Sequence, residues 1–202
     1  KKDKKFILEA VKLDGSALQH ADKSFRKDRK IVLLAVKTWG HALEHADKSF
    51  RKDREIVLAA VKSKSIYGHG DSLKYADKSL RKDREIVLEA VKSNGNALEY
   101  ADEIFWKDRE IALETAKSQH YGLRFADKSF KKDKKFILEA VKSNGYVLEH
   151  ADKSLRKDRE IVLEAVKQTG YALEHADKSF KKDRKIVLVA VKEDGYALEY
   201  VD

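Results

Sequence analysis

Residues 83–95 read DREIVLEAVKSNG, and close copies of this stretch recur along the chain, for example at 133–145 and 158–170. The recurrence has a period of 25 residues, which marks a tandem repeat. Working outward from these copies divides the 202 residues into eight repeats, of which the third carries an insertion near 65–69. The predicted repeat boundaries are 1–25, 26–50, 51–80, 81–105, 106–130, 131–155, 156–180 and 181–202.

The first half of each repeat predicts a helix. An aspartate stands at its third position, where the carboxylate can accept the amide groups of the first helical turn. A glycine follows the apolar run and suits a left-handed residue just after the helix. In the sixth repeat this helix covers about 134–143. The aspartates predicted as N-caps include Asp28, Asp83, Asp133 and Asp158, and the glycines predicted as C-terminal caps include Gly95, Gly145 and Gly170.

The second half of each repeat predicts a shorter helix, at about 171–177 in the seventh repeat, followed by a tight turn at 178–180. Two leucine columns, at the eighth position (such as Leu33) and the eighteenth (such as Leu43), predict a continuous core between stacked repeats. The predicted fold is an all-α solenoid of eight helix-turn-helix repeats in a single array over 1–202, with a right-handed superhelix. A globular bundle is the alternative, and it would need longer helices.

The composition sets limits on the class of protein. Charged residues make up 39% and hydrophobic residues 42%, with both signs interleaved, which suits a soluble protein without membrane insertion. The absence of Cys excludes disulfides and thiolate metal sites. The composition does not indicate a cellular compartment. Because one repeat is copied along the chain, the absence of a residue type is only weak evidence for a compartment. The lack of Met and of polar end repeats indicates either a piece of a longer array or ends that stack on other copies.

The pattern D-R-E-I-V-L-E-A-V-K-x-x-G-x-A-L-E-x-A, with K-S-F/L before the next aspartate, resembles an uncharacterised tandem helical repeat family. Its members occur in bacteria and protists, and its domain of unknown function is about two of these repeats long. The resemblance covers the whole chain. It implies a fold, but no activity, substrate or catalytic residue.

Histidine is the first candidate for chemistry. His20, His45, His150 and His175 share one repeat position with tyrosines such as Tyr75, which indicates aromatic packing rather than metal binding. His41 and His45 are four residues apart and could reach one metal ion, but no third ligand is evident. Ser24 and its copies recur from repeat to repeat, and no histidine or lysine–acid arrangement is unique to one place, as an active site should be. We therefore expect no enzyme, no cofactor and no metal.

Basic charge is the second candidate. The first three repeats carry net charges of +2, +3 and +3 out of the chain's +9. A solvated, mixed-charge surface is the simpler interpretation. The first three repeats also hold unusual aromatic residues and the insertion. These features are either a binding surface or the result of sequence drift in single copies. The fifth repeat has two unusual residues, Trp106 and His120, of which His120 replaces the usual glycine. They mark either a local kink or a second binding patch. The candidate binding surface comprises Trp39, His41, His45, Lys64, Ile66, Tyr67, His69 and Trp106.

Three functions fit these observations. The first is a non-enzymatic scaffold that binds an unidentified protein partner or has a structural role. The second is binding of a polyanion through the basic first three repeats. A nucleic acid is a possible polyanion of this kind, but it is not favoured. The third is head-to-tail self-assembly through the ends of the array.

Overall fold

The computed structural model describes residues 3–63, 71–117 and 123–201, and within these ranges the chain is helical without any β-strand. The insertion near 65–69 and the turn around His120 lie outside the described residues. The chain forms two compact bodies, an N-terminal body (Lys1–Ile111) and a C-terminal body (Ala112–Asp202). The predicted all-α repeat fold is therefore confirmed, while the right-handed superhelix stays a prediction.

Seven of the repeats pair a long α-helix with a shorter 3₁₀ helix that follows it within the described residues. The α-helices are α1 (Lys4–Leu13), α2 (Lys23–Arg26), α3 (Arg29–Thr38), α4 (Arg54–Val61), α5 (Arg84–Ser93), α6 (Arg109–Ala116), α7 (Lys134–Val141), α8 (Arg159–Gln168), α9 (Lys178–Lys181) and α10 (Arg184–Glu193). The 3₁₀ helices that follow the long α-helices are Gly15–His20, Gly40–Glu44, Asp71–Tyr75, Gly95–Tyr100, Gly145–His150, Gly170–His175 and Gly195–Tyr200. Further short 3₁₀ turns precede the long α-helices, at Lys48–Lys52, Leu80–Lys82, Glu103–Lys107, Phe130–Lys132 and Leu155–Lys157.

An aspartate begins each long helix, as the sequence predicts. The Asp83 carboxylate accepts hydrogen bonds from the amides of Glu85 (3.0 Å) and Ile86 (3.2 Å), which satisfies two of the donors left open at the start of α5. Asp28 and Asp158 do the same for α3 and α8, and Asp133 accepts from one amide, that of Phe136, at the start of α7.

One polar residue both ends a long helix and begins the next element. Asn94 has an extended backbone (φ −153°, ψ 115°), and its amide donates to the carbonyl of Ala90, closing α5. Its side-chain oxygen then accepts from the amide of Asn96 at 3.0 Å, which caps the 3₁₀ helix Gly95–Tyr100. The chain therefore reverses through a single extended residue.

The glycines have a different role from the predicted one. Gly145 and Gly170 are the first residues of 3₁₀ helices, and neither has a φ in the left-handed region. The left-handed C-cap is thus wrong for both, and Gly95 likewise begins a 3₁₀ helix rather than ending α5. The reason for glycine is close approach. A Cβ on Gly145 would lie 2.4 Å from the carbonyl oxygen of Ala165 in the next repeat, and one on Gly15 would lie 2.1 Å from that of Ala35.

The second half of the repeat also differs from the prediction. In the seventh repeat it is a 3₁₀ helix, Gly170–His175, and the predicted turn at 178–180 is the one-turn helix α9. Asp177 explains the break, because its carboxylate accepts from both the amide (3.1 Å) and the hydroxyl (2.8 Å) of Ser179, starting a new element. The first helix of the sixth repeat ends at Val141, two residues earlier than predicted.

Stacking of neighbouring repeats buries the core of each body. In the N-terminal body α1, α3, α4 and α5 pack in chain order, and each long helix also packs on the preceding repeat's 3₁₀ helix where both are described, as α3 does on Gly15–His20. In the C-terminal body α7, α8 and α10 follow the same plan. At the eighteenth position the leucines from Leu18 to Leu173 are fully buried, whereas Leu198 in the last repeat is exposed. At the eighth position Leu33 and most of its equivalents are only partly buried, and Leu188 is exposed. Isoleucine and valine near the start of each long helix fill the core instead, such as Ile31 and Val32.

None of the described helices is long and apolar enough to cross a lipid bilayer.

Candidate binding surfaces

Trp39 organises an aromatic cluster in the N-terminal body. It is the extended residue after α3, at the position where other repeats place Asn94 or Asn144. Its ring stacks on His41 (centroids 5.7 Å apart) and on His45 (5.9 Å), both from the same repeat. Tyr75 of the next repeat meets His41 edge-on at 5.7 Å. We call Trp39, His41, His45 and Tyr75 the Trp39 cluster.

The Trp39 cluster is partly exposed. Burial lowers the pKa of His45 below its usual range, which favours the uncharged imidazole. The Nδ1 atom of His41 is buried and has no hydrogen-bond partner among the described residues. Within the described part of the chain no group of three or more metal-binding side chains converges, so His41 and His45 gain no third ligand there. The arrangement is suited to packing against an apolar or aromatic side chain.

A second aromatic cluster lies in the C-terminal body. Tyr171 is its centre, with ring centroids 5.4 Å from Tyr146, 5.4 Å from Tyr200 and 5.6 Å from His175. The Tyr171 hydroxyl is hydrogen-bonded to Glu174, and this bond raises the pKa of the phenol to about 12. The repeat pattern predicts aromatic packing at the position shared by His175 and Tyr200, but it does not by itself indicate Tyr146 and Tyr171. The signal that could have found them is that Tyr146, Tyr171 and Tyr196 recur 25 residues apart.

Trp106 stands where four of the eight repeats have arginine and the other three have lysine. In those repeats the arginine secures the end of the preceding 3₁₀ helix: Arg26 donates to the carbonyls of Ala21 (3.0 Å) and Gln19 (2.6 Å). Trp106 is partly buried, and its Nε1 is buried without a hydrogen-bond partner among the described residues. No ring contact joins it to the Trp39 cluster within the described ranges. The grouping of Trp39 and Trp106 in one candidate surface therefore stays a prediction.

The remaining residues of that surface, Lys64, Ile66, Tyr67 and His69, lie outside the described residues.

Much of the basic charge has internal partners. In the N-terminal body the arginine that begins α3, α4 or α5 binds the N-cap aspartate of the next repeat. Arg29 reaches Asp53 at 3.0 Å and Glu55 at 2.5 Å, and Arg84 reaches Asp108 at 2.7 Å. The same ladder in the C-terminal body pairs Lys134 with Asp158 at 2.7 Å. These guanidinium and ammonium groups tie neighbouring repeats together and are already charge-paired.

Lysines supply the basic surface that remains. A shallow groove in the second repeat is lined by Lys23, Arg26, Lys27, His45, Asp47 and Lys48, and an equivalent groove is lined by Lys78, Arg81, Lys82, Tyr100 and Asp102. In the first of these grooves, the carboxylate of Asp47 offsets only part of the positive charge of the lysines. The Lys27 ammonium lies 3.9 Å from this carboxylate. A polyanion would contact exposed lysines of this kind. Binding of a polyanion through the basic first three repeats therefore stays a prediction.

The comparison with known families agrees with the repeat geometry. The family described as Domain of unknown function (DUF4116) matches residues 3–51, 28–69, 53–106, 108–156 and 158–202. The chain belongs to this family. Most of the matched segments span about two repeats, as the resemblance predicted. No curated protein gives a significant match, and the same is true of the solved structures. DUF4116 membership therefore brings a tandem repeat domain and no assigned chemistry.

Proposed function

We propose that the chain is a non-enzymatic repeat scaffold that binds an extended protein segment, with the Trp39 cluster as a principal contact. The observation that carries this proposal is the stack of Trp39 on His41 and His45. Stacking fixes the rings before any partner arrives, so little side-chain entropy is lost on binding. Tryptophan and tyrosine are also the side chains that most often dominate protein interfaces.

The repeated chemistry of the chain supports a non-enzymatic role. Serines that could act as nucleophiles serve as local caps: the Ser49 hydroxyl donates to Asp47 at 2.8 Å, and the Ser79 hydroxyl donates to Asp77 at 2.8 Å. The same pair recurs at Asp152 and Ser154. A group that is repeated to hold the backbone is a structural element, whereas an active site needs one distinctive arrangement.

Each body has its own aromatic cluster at the same level of the repeat. The Trp39 cluster in the N-terminal body and the Tyr171 cluster in the C-terminal body use equivalent positions of their repeats, on the 3₁₀ helices and just before them. Each cluster combines residues of neighbouring repeats, as His41 with Tyr75 and Tyr146 with Tyr171. Recognition would thus depend on the stacking of repeats and not on one repeat alone.

Replacement of Trp39 by asparagine offers a conservative test. Asn94 and Asn144 occupy the equivalent position and cap their 3₁₀ helices through the side-chain oxygen. Trp39→Asn therefore removes the indole and supplies the cap that Trp39 lacks. Tyr146→Asn is the matched control in the C-terminal body, because Asn96 stands at the equivalent position.

The experiment selects peptides from a random display library on the immobilised wild-type chain, with Trp39→Asn as the counter-selection. The selected peptides are then measured by fluorescence anisotropy against wild type, Trp39→Asn and Tyr146→Asn. We expect peptides that bind wild type and lose about tenfold or more in affinity with Trp39→Asn alone. Absence of any peptide whose binding depends on Trp39 would contradict the proposal.

A further inference from the structure

Two internal repeats place a cation of their own beside an aromatic ring. The Nζ atom of Lys74 in the third repeat lies 5.9 Å from the centroid of the Tyr75 ring. In the C-terminal body the guanidinium carbon of Arg124 lies 5.4 Å from the centroid of the Phe125 ring. These separations allow a favourable cation–π interaction. The nineteenth position of the repeat can therefore hold a cation against the ring at the twentieth position.

Glutamates take the nineteenth position in the sixth and seventh repeats. Glu149 and Glu174 stand where the third and fifth repeats have their cations. The twentieth position still carries a ring, which is His150 or His175, and the His175 ring contacts Tyr171 at 5.6 Å. These two repeats therefore keep the ring and replace the internal cation by an anion.

The two carboxylates have no cationic partner within the described ranges. On the long helix of the seventh repeat, the Glu160 carboxylate lies 3.3 Å from the Lys134 ammonium. No such ion pair is seen for Glu149 or Glu174 in the part of the chain that the structure describes. Glu149 is exposed, and Glu174 is partly buried, where it accepts the hydroxyl of Tyr171. Both carboxylates thus keep their negative charge available at the surface of the 3₁₀ helices.

The rings at this place do not oppose a cation. Burial lowers the pKa of both His150 and His175, which favours their uncharged imidazoles. The pKa of Tyr171 is raised to about 12, first by the hydrogen bond to Glu174 and also by the charge of Glu149. The surroundings of Tyr171 are therefore electronegative.

The nearby cations of the chain lie at the junctions between repeats. Arg156 and Lys181 both act on His175 through their charge. The guanidinium of Arg156 is held by the carbonyl of Ala151 at 2.9 Å. Neither cation is seen over a ring of the Tyr171 cluster among the described residues, so the rings lack the internal cation that Tyr75 has.

We propose that the Tyr171 cluster, together with Glu149 and Glu174, binds a lysine- or arginine-rich segment of a partner protein. A cation of the partner takes the place that Lys74 holds in the third repeat, against the rings and beside the carboxylates. The whole chain carries a net charge of +9, so general attraction does not favour such a partner. Binding depends on the local glutamates and rings. The site adds a second contact to the proposed scaffold, and it does not depend on the Trp39 cluster.

Fluorescence anisotropy with a labelled octa-arginine peptide at about 150 mM salt tests the site. We expect wild type to bind with a dissociation constant of about 1–100 µM. Glu174→Lys introduces the residue that the third repeat has at this position, so the repeat can accept it. The new internal cation should compete with that of the peptide and weaken binding by about tenfold or more.

Glu160→Lys is the matched control, because it makes the same change of charge on α8 instead of on the 3₁₀ helix. Lys135 and Lys185 stand at the equivalent position of their repeats. This variant should bind the peptide within about twofold of wild type, since an exposed charge away from the site is screened. Equal weakening by Glu160→Lys and Glu174→Lys would overturn the proposal, because only general charge would then matter.

A second pair of variants tests the ring and separates this site from the Trp39 cluster. Tyr171→Asn introduces the residue that Asn96 provides in the fourth repeat, and it leaves both carboxylates in place. With folding verified by circular dichroism, it should weaken peptide binding by about fivefold. Trp39→Asn should bind like wild type. Absence of binding to wild type, full binding to Tyr171→Asn, or loss of binding in Trp39→Asn would each overturn the proposal.

Discussion

The guanidinium of Arg159 holds the carboxylate of Asp183, the residue that caps the first helix of the following repeat. The Asp183 side chain has two roles, because it also accepts hydrogen bonds from the amides of Lys185 (2.9 Å) and Ile186 (3.2 Å). A local helix cap is thereby coupled to contact between repeats. The same relationship links Arg84 with Asp108 and Lys134 with Asp158 in their respective bodies.

Acid should weaken the C-terminal body through this carboxylate. The hydrogen bond from Arg159, followed by the Ile186 amide, lowers the pKa of Asp183 from 3.8 to about 2. Because the folded-state pKa lies below the unfolded value, the stabilisation is present above pH ~4 and is lost as pH falls through about 2. We expect the free energy of unfolding, measured with urea between about pH 5 and 2, to fall over this window.

Asp183→Asn is the control for that effect, since asparagine also caps helices but cannot titrate. Its free energy of unfolding should be lower than that of wild type near neutral pH and should change less on acidification. An identical acid dependence in both proteins would show that Asp183 does not contribute.

Arg156 should stabilise the chain through carbonyl groups rather than through carboxylates. Its guanidinium donates to the carbonyl of Ala151 at 2.9 Å and also to that of Glu149. Arg156→Lys should lower the free energy of unfolding by about 1 kcal/mol, because one ammonium cannot reproduce the fork of two donors. Lys181→Arg, at the same position of the next repeat, should raise it by a similar amount. A neutral Arg156→Lys would contradict this role.

Oligonucleotide binding should be weak and non-specific. Arg29, Arg54 and Arg84 are paired with carboxylates, which leaves mainly lysines such as Lys27 to meet phosphates. By fluorescence anisotropy we expect dissociation constants in the range of about 1–100 µM at about 50 mM salt, rising steeply at about 200 mM. Trp39→Asn should not change them. Tight binding at the higher salt that is lost in a Lys23→Gln, Lys27→Gln, Lys48→Gln variant would instead favour a polyanion partner.

Features encoded within a few residues could be predicted from the sequence. The N-cap of Asp83 depends on amides two and three residues away, so the DREI stretch predicts it directly. The period of 25 residues predicts that the repeats stack and that Leu43 is buried. The 3₁₀ form of Gly170–His175 could not be predicted, because six residues do not separate a period of 3.0 from one of 3.6.

Features that depend on the neighbouring repeat could not be read from one repeat. Gly145 looked like a local C-cap, whereas its actual constraint is the carbonyl of Ala165, in the next repeat. The basic character of Arg29 suggested a surface for anions, whereas its partners are Asp53 and Glu55 of the following repeat. Trp39 and His45 were selected from sequence, but their stacking and the contribution of Tyr75 required the structure.

One glycine substitution at two equivalent positions tests the central claim, which is that neighbouring repeats dock by close approach of a helix to this glycine. Gly170→Ala should lower the free energy of unfolding by about 1–3 kcal/mol, because its Cβ would lie 2.4 Å from the Ala190 carbonyl oxygen. Gly195→Ala, with nothing within 4 Å of the added Cβ, should be neutral or raise it by up to about 1 kcal/mol. Urea unfolding of both variants makes the comparison. Equal losses at the two positions would contradict the account.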